Sequence, residues 1–314
     1  MMRTVTAGLD GSPESLAAAE WAAREARMRG LRLKLVHVRE PVPDPMARAP
    51  LLGAEPHQHR SERSKTRVPP SEGRRTIPRE AAEDLRARHP GVGVTMEQRT
   101  GRPAEALLKA ADDAEVLVLG TRGLNGMDGF MVGSAGLAVV AHAGRPVVLV
   151  RAGEQAADEH LTDSSGVPSA AAPFKPVVLG LDTVGPHDTL IGFAFEAALL
   201  RATALRVVHA WNEPPYIAYG LPQDLELNAR LAGQEADAVT EVLRPWREKF
   251  PDVEIIGDTL SGNAAHHLVD ASREASLVVV GRRVRRAAPG AHIGPVTHAV
   301  LHHSTAPVAV VPHD

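Results

Sequence analysis

Short apolar runs alternate with amphipathic stretches along the first half of the chain. Residues 5–9 and 33–38 have the apolar pattern of strands, and residues 16–29 between them carry their charges on one face of a helix. Ser12 suits the N-cap of that helix, and Pro13 suits its first position. Strand, helix and strand with short connections predict a parallel βαβ unit.

The same alternation continues to residue 150. It predicts, in order, a helix at 77–88, a strand at 92–98, a helix ending at 111, a strand at 116–119, a helix after 134 and a strand at 147–150. Five strands alternating with four helices are typical of a doubly wound α/β domain, in which helices cover both faces of a parallel sheet.

The whole pattern then repeats. Asp10 recurs 172 residues later as Asp182, and Gly120 recurs 161 residues later as Gly281, each within a matching apolar run. An internal duplication explains both offsets, because the second copy is 11 residues shorter between its second strand and the later motifs. We therefore expect tandem domains at 1–152 and 174–314. The linker at 153–173 is rich in Ala, Ser, Asp and Gly.

Composition narrows the class of protein. The 314 residues suit two domains of about 150 each, and 44% hydrophobic with 3% aromatic residues predicts aliphatic cores. A net charge of −3 gives no general attraction to nucleic acid or membranes, and the absence of cysteine excludes disulfides and thiolate chemistry. No apolar run approaches the ~20 residues of a membrane span. We expect a cytoplasmic protein without membrane or nucleic-acid partners.

A proline-rich and basic stretch interrupts the pattern between residues 40 and 75. It contains almost nothing apolar, so it cannot bury enough surface to offset the entropy of ordering, and we expect a solvated loop. A basic arm that contacts an anionic partner is the alternative. Nucleic acid is an unlikely partner because no aromatic residues are interleaved with the charges.

A glycine-rich stretch follows the fourth predicted strand, with Gly120, Gly123 and the pair Gly133-Ser134 in the spacing G-x2-G-x9-G-S. Gly120 would let a ligand approach the backbone, and Gly123 would supply a positive φ for the following turn. Gly133-Ser134 would open a helix whose first N–H groups are unpaired and attract negative charge. The pattern predicts a phosphate site.

This spacing is neither a P-loop nor a dinucleotide fingerprint. It resembles the ATP-binding signature of the universal stress protein family, and the resemblance covers nearly the whole chain as a tandem two-domain member. It implies a Rossmann-like fold of the adenine nucleotide alpha hydrolase type. It also implies bound ATP, with Mg²⁺ held chiefly by phosphate oxygens and water.

The resemblance assigns roles to ten residues. Gly8, Leu9 and Asp10 would frame the adenosine and Val38 would line the adenine; ribose and phosphates would be held by Leu119, Gly120, Gly123, Gly133, Ser134 and Ala135. One position departs from the family pattern, since Gly136 stands where a hydroxyl residue is common. Tight binding of the terminal phosphate is therefore not implied.

The second copy has a damaged motif. Val284 replaces Gly123, and Pro295 replaces Ser134, which removes a hydroxyl and an N–H at the helix start. We expect one nucleotide per chain, in the first copy. Asp182 survives, so adenosine binding without phosphate recognition stays possible in the second copy. Four arginines between 282 and 286 form either a solvated face or an anion site.

Two other classes of function stay open. One is an enzyme, a slow ATPase or nucleotidyl transferase, although no general base stands out near the motif. The other is a ligand-free interaction module with an unknown protein partner. His298 and His302 have the i,i+4 spacing of metal ligands, but without a third ligand we expect surface or interface histidines.

The last strand of each copy is apolar, at 146–150 and 307–311. A doubly wound sheet places its last strand at an edge, where an open apolar strand invites aggregation. We therefore expect the two edges to pair antiparallel within one chain, as an intramolecular pseudo-dimer. A homodimer of chains is a further possibility.

Overall fold

The computed structural model describes residues 3–40, 73–123, 130–163, 165–213, 224–284 and 293–314. Most of the predicted basic loop, the stretch between Gly123 and Phe130, and Arg285 and Arg286 lie outside the described residues.

Both halves follow the predicted order of strands and helices. The N-terminal half contains β1 (Thr4–Gly8), α1 (Pro13–Met28), β2 (Arg32–Arg39), α2 (Gly73–Arg88), β3 (Val94–Thr100), α3 (Pro103–Asp112), β4 (Ala114–Gly123), β5 (Phe130–Met131), α4 (Ser134–His142) and β6 (Val147–Arg151). The C-terminal half contains β7 (Val177–Gly180), α5 (Asp188–Arg201), β8 (Leu205–Trp211), α6 (Leu225–Lys249), β9 (Ile255–Ser261), α7 (Ala264–Ala271), β10 (Leu277–Arg283), α8 (Pro295–His303) and β11 (Val308–His313).

The strands form one sheet in the order β3-β2-β1-β4-β6-β11-β10-β7-β8-β9. Pairing is parallel within each half, which confirms the predicted doubly wound fold. The sequence did not predict β5, which pairs antiparallel with the end of β4. In the N-terminal half the strand order reverses between β1 and β4, and such a switch point is where open α/β sheets bind ligands.

The two halves join edge to edge. β6 and β11 pair antiparallel, with Val147 opposite Val310 and Leu149 opposite Val308. These four side chains are at most 3% exposed. The predicted intramolecular pairing of the last strands is therefore confirmed, and it leaves neither apolar edge open.

Helices cover both faces of the joined sheet. One core contains side chains of α1 and α2 together with those of α5 and α6, and the other contains side chains of α3 and α4 together with those of α7 and α8. Each core runs across the boundary between the halves. Folding of one half therefore removes apolar surface of the other from water.

The start of α1 is fixed by its own turn residues. Ser12 is the N-cap, and its side chain accepts a hydrogen bond from the Ser15 N–H at 3.2 Å. Pro13 occupies the first helical position, as predicted. Gly30 follows the last turn with φ +63°, a conformation that favours glycine.

The segment between the halves has local structure at residues 152–163 and 165–176. It contains a 3-10 turn at Ala156–Glu159 and a bridge between His160 and Phe174. Arg24 of α1 donates to the Glu154 carboxylate at 2.6 and 2.9 Å and to Glu159 at 2.5 Å. The segment is thus held against the first helix.

A buried ionic cluster continues from this segment into the C-terminal half. Arg201 of α5 donates to Glu25 of α1 at 2.8 Å, and Arg29 donates to the other oxygen of that carboxylate at 2.6 Å. The Arg201 and Glu25 side chains are no more than 1% exposed. Removing one partner of such a pair would leave an uncompensated buried charge, which costs about 3–5 kcal/mol.

Glu154 has an unusual protonation behaviour within this cluster. Burial, together with the neighbouring Glu159 carboxyl, raises the pKa of Glu154 to about 8, although Arg24 opposes the shift. Two carboxyl groups share one guanidinium nitrogen here, and Arg201 lies 3.9 Å from Glu159 but is already paired with Glu25. The Glu154 carboxyl therefore stays protonated through neutral pH.

We expect a disulfide to form between the two halves in the double variant Val147→Cys/Val310→Cys. Directly opposed Cβ atoms in an antiparallel pair lie about 4.5–5.5 Å apart, close to disulfide geometry, and no native cysteine competes. Mass spectrometry after mild oxidation measures the bond. Val147→Cys/Val308→Cys is out of register and is the control; equal yields in both variants would contradict the register.

We also expect Glu154→Gln to reduce the pH dependence of stability. An ordinary glutamate in the unfolded chain loses its proton near pH 4.5, whereas native Glu154 keeps it to about pH 8. Over this interval the unfolded state binds fewer protons, so this group makes the free energy of unfolding fall as pH rises, by at most ~1.4 kcal/mol per pH unit.

Urea unfolding at pH 5.5 and 7.5 measures the effect. The wild-type protein should lose more stability than Glu154→Gln over this interval, by roughly 2–3 kcal/mol. Glu105→Gln, which changes an exposed glutamate, should behave like the wild type. Parallel pH profiles for wild type and Glu154→Gln would show that Glu154 is ionised in the native state.

Candidate nucleotide site

The turn after β1 lies at the switch point of the N-terminal half. Asp10 is exposed, and its carboxylate accepts a hydrogen bond from the Ser12 N–H at 2.9 Å. The Ser15 hydroxyl accepts from the N–H groups of Asp10 (3.3 Å) and Gly11 (3.2 Å). The turn is therefore preorganised by α1, with the Asp10 side chain at the surface of the crevice.

A histidine supports the neighbouring residue. The His37 Nδ1 atom lies 2.8 Å from the carbonyl oxygen of Leu9, and the Leu9 N–H donates to the Val36 carbonyl. The C-terminal half has the same contact, at 3.0 Å between His209 and Leu181. Sequence reasoning assigned no role to His37, although its recurrence as His209 was the available signal.

Gly120 has a packing role that the sequence did not predict. A Cβ atom built on Gly120 would lie 2.4 Å from the backbone carbonyl atoms of Glu14 in α1. The missing side chain therefore admits the start of α1. Gly8 is similar, because a Cβ there would meet Leu119 Cδ2 at 2.7 Å. Both glycines position the crevice by letting its walls pack closely.

Gly123 lies in a strand and not in a turn. It is the last residue of β4 and pairs with Phe130 of β5 in antiparallel register. The turn predicted to follow Gly123 falls on residues 124–129, which lie outside the described part of the chain.

The start of α4 is the part of the motif that the structure reproduces as expected. Gly133 is the N-cap (φ −59°, ψ 155°), and no side chain caps the helix. Gly133 and Ser134 are exposed, and Ala135 is half-buried. The first N–H groups of a helix have no partner within it, so these residues present several backbone donors and one hydroxyl to the crevice.

Leu119 and Val38 offer apolar surface of different kinds. The Leu119 side chain is 5% exposed and packs in the core beneath α3 and α4, so its backbone is the part available to a ligand. Val38 is half-buried near the end of β2 and packs against the same core. An adenine ring at this edge would find an apolar contact at Val38.

The equivalent crevice of the C-terminal half is filled by side chains. The ring of His313 occupies the space beside Gly281, where a Cβ atom would lie 2.6 Å from its Nε2 atom. Burial lowers the pKa of His313. The centroids of the His313 and His187 rings lie 4.8 Å apart, and the two rings are tilted against each other. The Thr297 hydroxyl donates to the Gly281 carbonyl at 2.8 Å. This hydroxyl is turned into the protein.

The described residues form no cluster of metal ligands. No three of their His, Asp or Glu side chains are placed to hold a metal ion. The rings of His298 and His302 are 4.5 Å apart on α8, and no third such ligand lies beside them in the part of the chain that is described. No described helix is long and apolar enough to cross a membrane.

A doubly wound sheet with a helix start near its switch point has the architecture of open α/β proteins that bind ligands at that point. The chain matches the universal stress protein family over residues 1–151 and again over 173–312. It therefore belongs to this family, with two family domains in tandem.

Relatives of known sequence have the same organisation. The chain is 30% identical to universal stress protein Rv2005c of Mycobacterium tuberculosis, with 98% of this chain and 96% of that protein covered. It is 28% identical to Rv1996 of the same organism, covering 99% and 96%. A crystal structure of a universal stress protein from Archaeoglobus fulgidus has the same fold, with a TM-score of 0.64 at 16% identity and coverage of 99% and 98%.

We expect Gly120→Ala to destabilise the protein by about 1–3 kcal/mol, because the new methyl group would collide with the backbone of α1, which cannot rotate away. Gly144→Ala is the matched control: nothing lies within 4 Å of its Cβ position, and its effect should stay within ~0.5 kcal/mol. Chemical unfolding measures both. Equal stability of the two variants would show that α1 does not approach Gly120 this closely.

Proposed function

We propose that this chain is an ATP-binding regulatory protein of the stress response, with one nucleotide held by its N-terminal half. The division into domains at 1–152 and 174–314, with a linker at 153–173, is part of this proposal. So is a cytoplasmic location, which accords with the composition of the chain. Binding of the nucleotide would change how the protein binds a partner protein.

The difference between the two crevices carries the proposal. Neither α4 nor α8 has a side-chain cap, but α4 begins with Ser134 after Gly133, whereas α8 begins with Pro295 after Gly294. Proline has no N–H, so α8 lacks a donor that α4 retains. Together with the His313 ring, this makes the N-terminal crevice the better site for a phosphate chain.

The remaining roles follow from the position of each residue. Gly8, Leu9 and Asp10 would frame the adenosine at the end of β1, with Val38 against the adenine. Backbone groups of Leu119, Gly120 and Gly123 would face the ribose and phosphates, next to Gly133, Ser134 and Ala135. Mg²⁺ would be bound mainly by phosphate oxygens and water, because this crevice supplies few carboxylates.

Turnover should be negligible. Asp10 is the acidic residue of the motif, and its carboxylate already accepts a hydrogen bond from the turn that it caps. Without an assigned general base, positioning alone accelerates hydrolysis little. A slow ATPase or nucleotidyl transferase is the alternative enzyme function. A ligand-free interaction module is the alternative without chemistry, and a homodimer of chains is compatible with either.

We expect Ser134→Pro, which removes both the backbone N–H and the hydroxyl, to lower the affinity for ATP at least roughly ten- to hundredfold, the cost of losing the N–H hydrogen bond to a charged group alone. The fold should tolerate this change. Gly294, which precedes proline in α8, has backbone angles of −60° and 154°, nearly those of Gly133. Isothermal titration calorimetry measures the affinity, and thermal unfolding verifies the fold.

Ser134→Ala is the matched control, since it removes the hydroxyl and retains the N–H. It should cost less affinity than Ser134→Pro. If a folded Ser134→Pro variant binds ATP as tightly as the wild type, the start of α4 is not the phosphate site.

We expect purified protein to hydrolyse ATP no faster than a few turnovers per hour, for want of a base. Phosphate release with ATP and Mg²⁺ measures this. A turnover near ~1 per second, within the usual range of enzymes, would assign the protein to the enzyme class.

A further inference from the structure

A cavity of about 250 Å³ lies where the two halves and the segment between them meet. No residue of β1, its following turn or α4 lines it, so it is separate from the candidate nucleotide crevice. Its polar lining includes Arg151, Glu154, Asp158, Lys175, Arg273 and Thr305.

Three cationic side chains converge on this cavity from three parts of the chain. Arg151 ends β6, and its Nη1 atom donates to the Thr305 carbonyl at 2.8 Å. Lys175, just before β7, donates to the Asp158 carbonyl oxygen at 2.8 Å, which uses one of its three ammonium hydrogens. Arg273 follows α7 and is 70% exposed, with its nearest carboxylate 3.8 Å away.

The carboxyl groups in the lining offset these charges only in part. Asp158 accepts a hydrogen bond from the Gln155 N–H at 2.9 Å and caps the 3-10 turn. Burial raises the pKa of Glu154 to about 8, so this group carries little charge at neutral pH. Burial also lowers the pKa of Arg151, although the Asp158 carboxylate opposes this shift, and a bound anion would oppose it as well.

We propose that this cavity binds a small phosphate-type oxyanion, held by Arg151, Lys175 and Arg273. Guanidinium and ammonium groups form strong, charge-assisted hydrogen bonds with such oxygens. The ligand would be inorganic phosphate or the phosphoryl group of a small metabolite. Since it would touch both halves and the segment between them, its binding should stabilise their pairing.

The double variant Lys175→Gln/Arg273→Gln tests the site while leaving Arg151 and its contact with Thr305 in place. Inorganic phosphate, AMP and adenosine are titrated separately at constant ionic strength, by calorimetry and thermal unfolding. We expect phosphate to bind the wild-type protein with a Kd of about 1 mM or below, to raise its Tm, and to bind the double variant at least tenfold more weakly. The control variant Lys109→Gln/Arg244→Gln changes one exposed lysine and one exposed arginine outside the cavity.

The remaining titrations distinguish free phosphate from the phosphoryl group of a nucleotide, and the cavity from the candidate nucleotide crevice. If AMP binding falls with phosphate binding in the cavity variant, the cavity accepts the phosphoryl group of a nucleotide as well as free phosphate. Ser134→Pro should leave phosphate binding unchanged, whatever it does to ATP. The inference is overturned if phosphate does not bind saturably, if the cavity and control variants bind it equally, or if Ser134→Pro abolishes its binding.

Discussion

The antiparallel pairing of β6 with β11 is the constraint on which the rest of the molecule depends. It joins two parallel sheets into one and makes both helical layers continuous across the boundary. It also brings α1 beside α5, so Glu25 and Arg201 are buried against each other. A buried ion pair contributes little net stability, because desolvation offsets its attraction, but it penalises arrangements that leave either charge alone. The apolar pairing of β6 with β11 thus drives the association of the two halves, and the ionic cluster around Glu25 and Arg201 favours one arrangement of them.

Joining two related halves in one chain allows them to diverge. In the N-terminal half, the walls of the crevice approach closely through Gly8 and Gly120, and the start of α4 is left uncapped. In the C-terminal half, the His313 ring stands beside Gly281, and the Thr297 hydroxyl closes onto its carbonyl. The pseudo-two-fold relation is retained in the backbone, while the side chains at the two crevices differ.

Much of this fold could be predicted from the sequence, and the exceptions have physical causes. Apolar periodicity located the strands of both sheets, and the apolar edges indicated their pairing. The hairpin partner of β4 is only two residues long, Phe130–Met131, too short to leave a periodic signal. The site was predicted less well. The sequence singled out Gly120 for the approach of a ligand and did not predict its packing role, since a sequence does not show that the backbone of Glu14 fills the space beside a glycine. The cavity at the junction is lined by residues such as Arg151 and Arg273, which lie far apart in sequence, so no local sequence motif predicts it.

Calorimetric titration of the wild-type chain with ATP and Mg²⁺ tests the central claim most directly, because it counts sites without assuming which residues form them. The account predicts saturable binding with one ATP per chain, since α4 keeps the N–H of its first residue, Ser134, whereas the corresponding helix α8 begins with Pro295. Two ATP molecules per chain would show that Pro295 and the His313 ring do not close the second crevice. No binding would contradict the account and leave a tandem universal stress protein that acts as an interaction module.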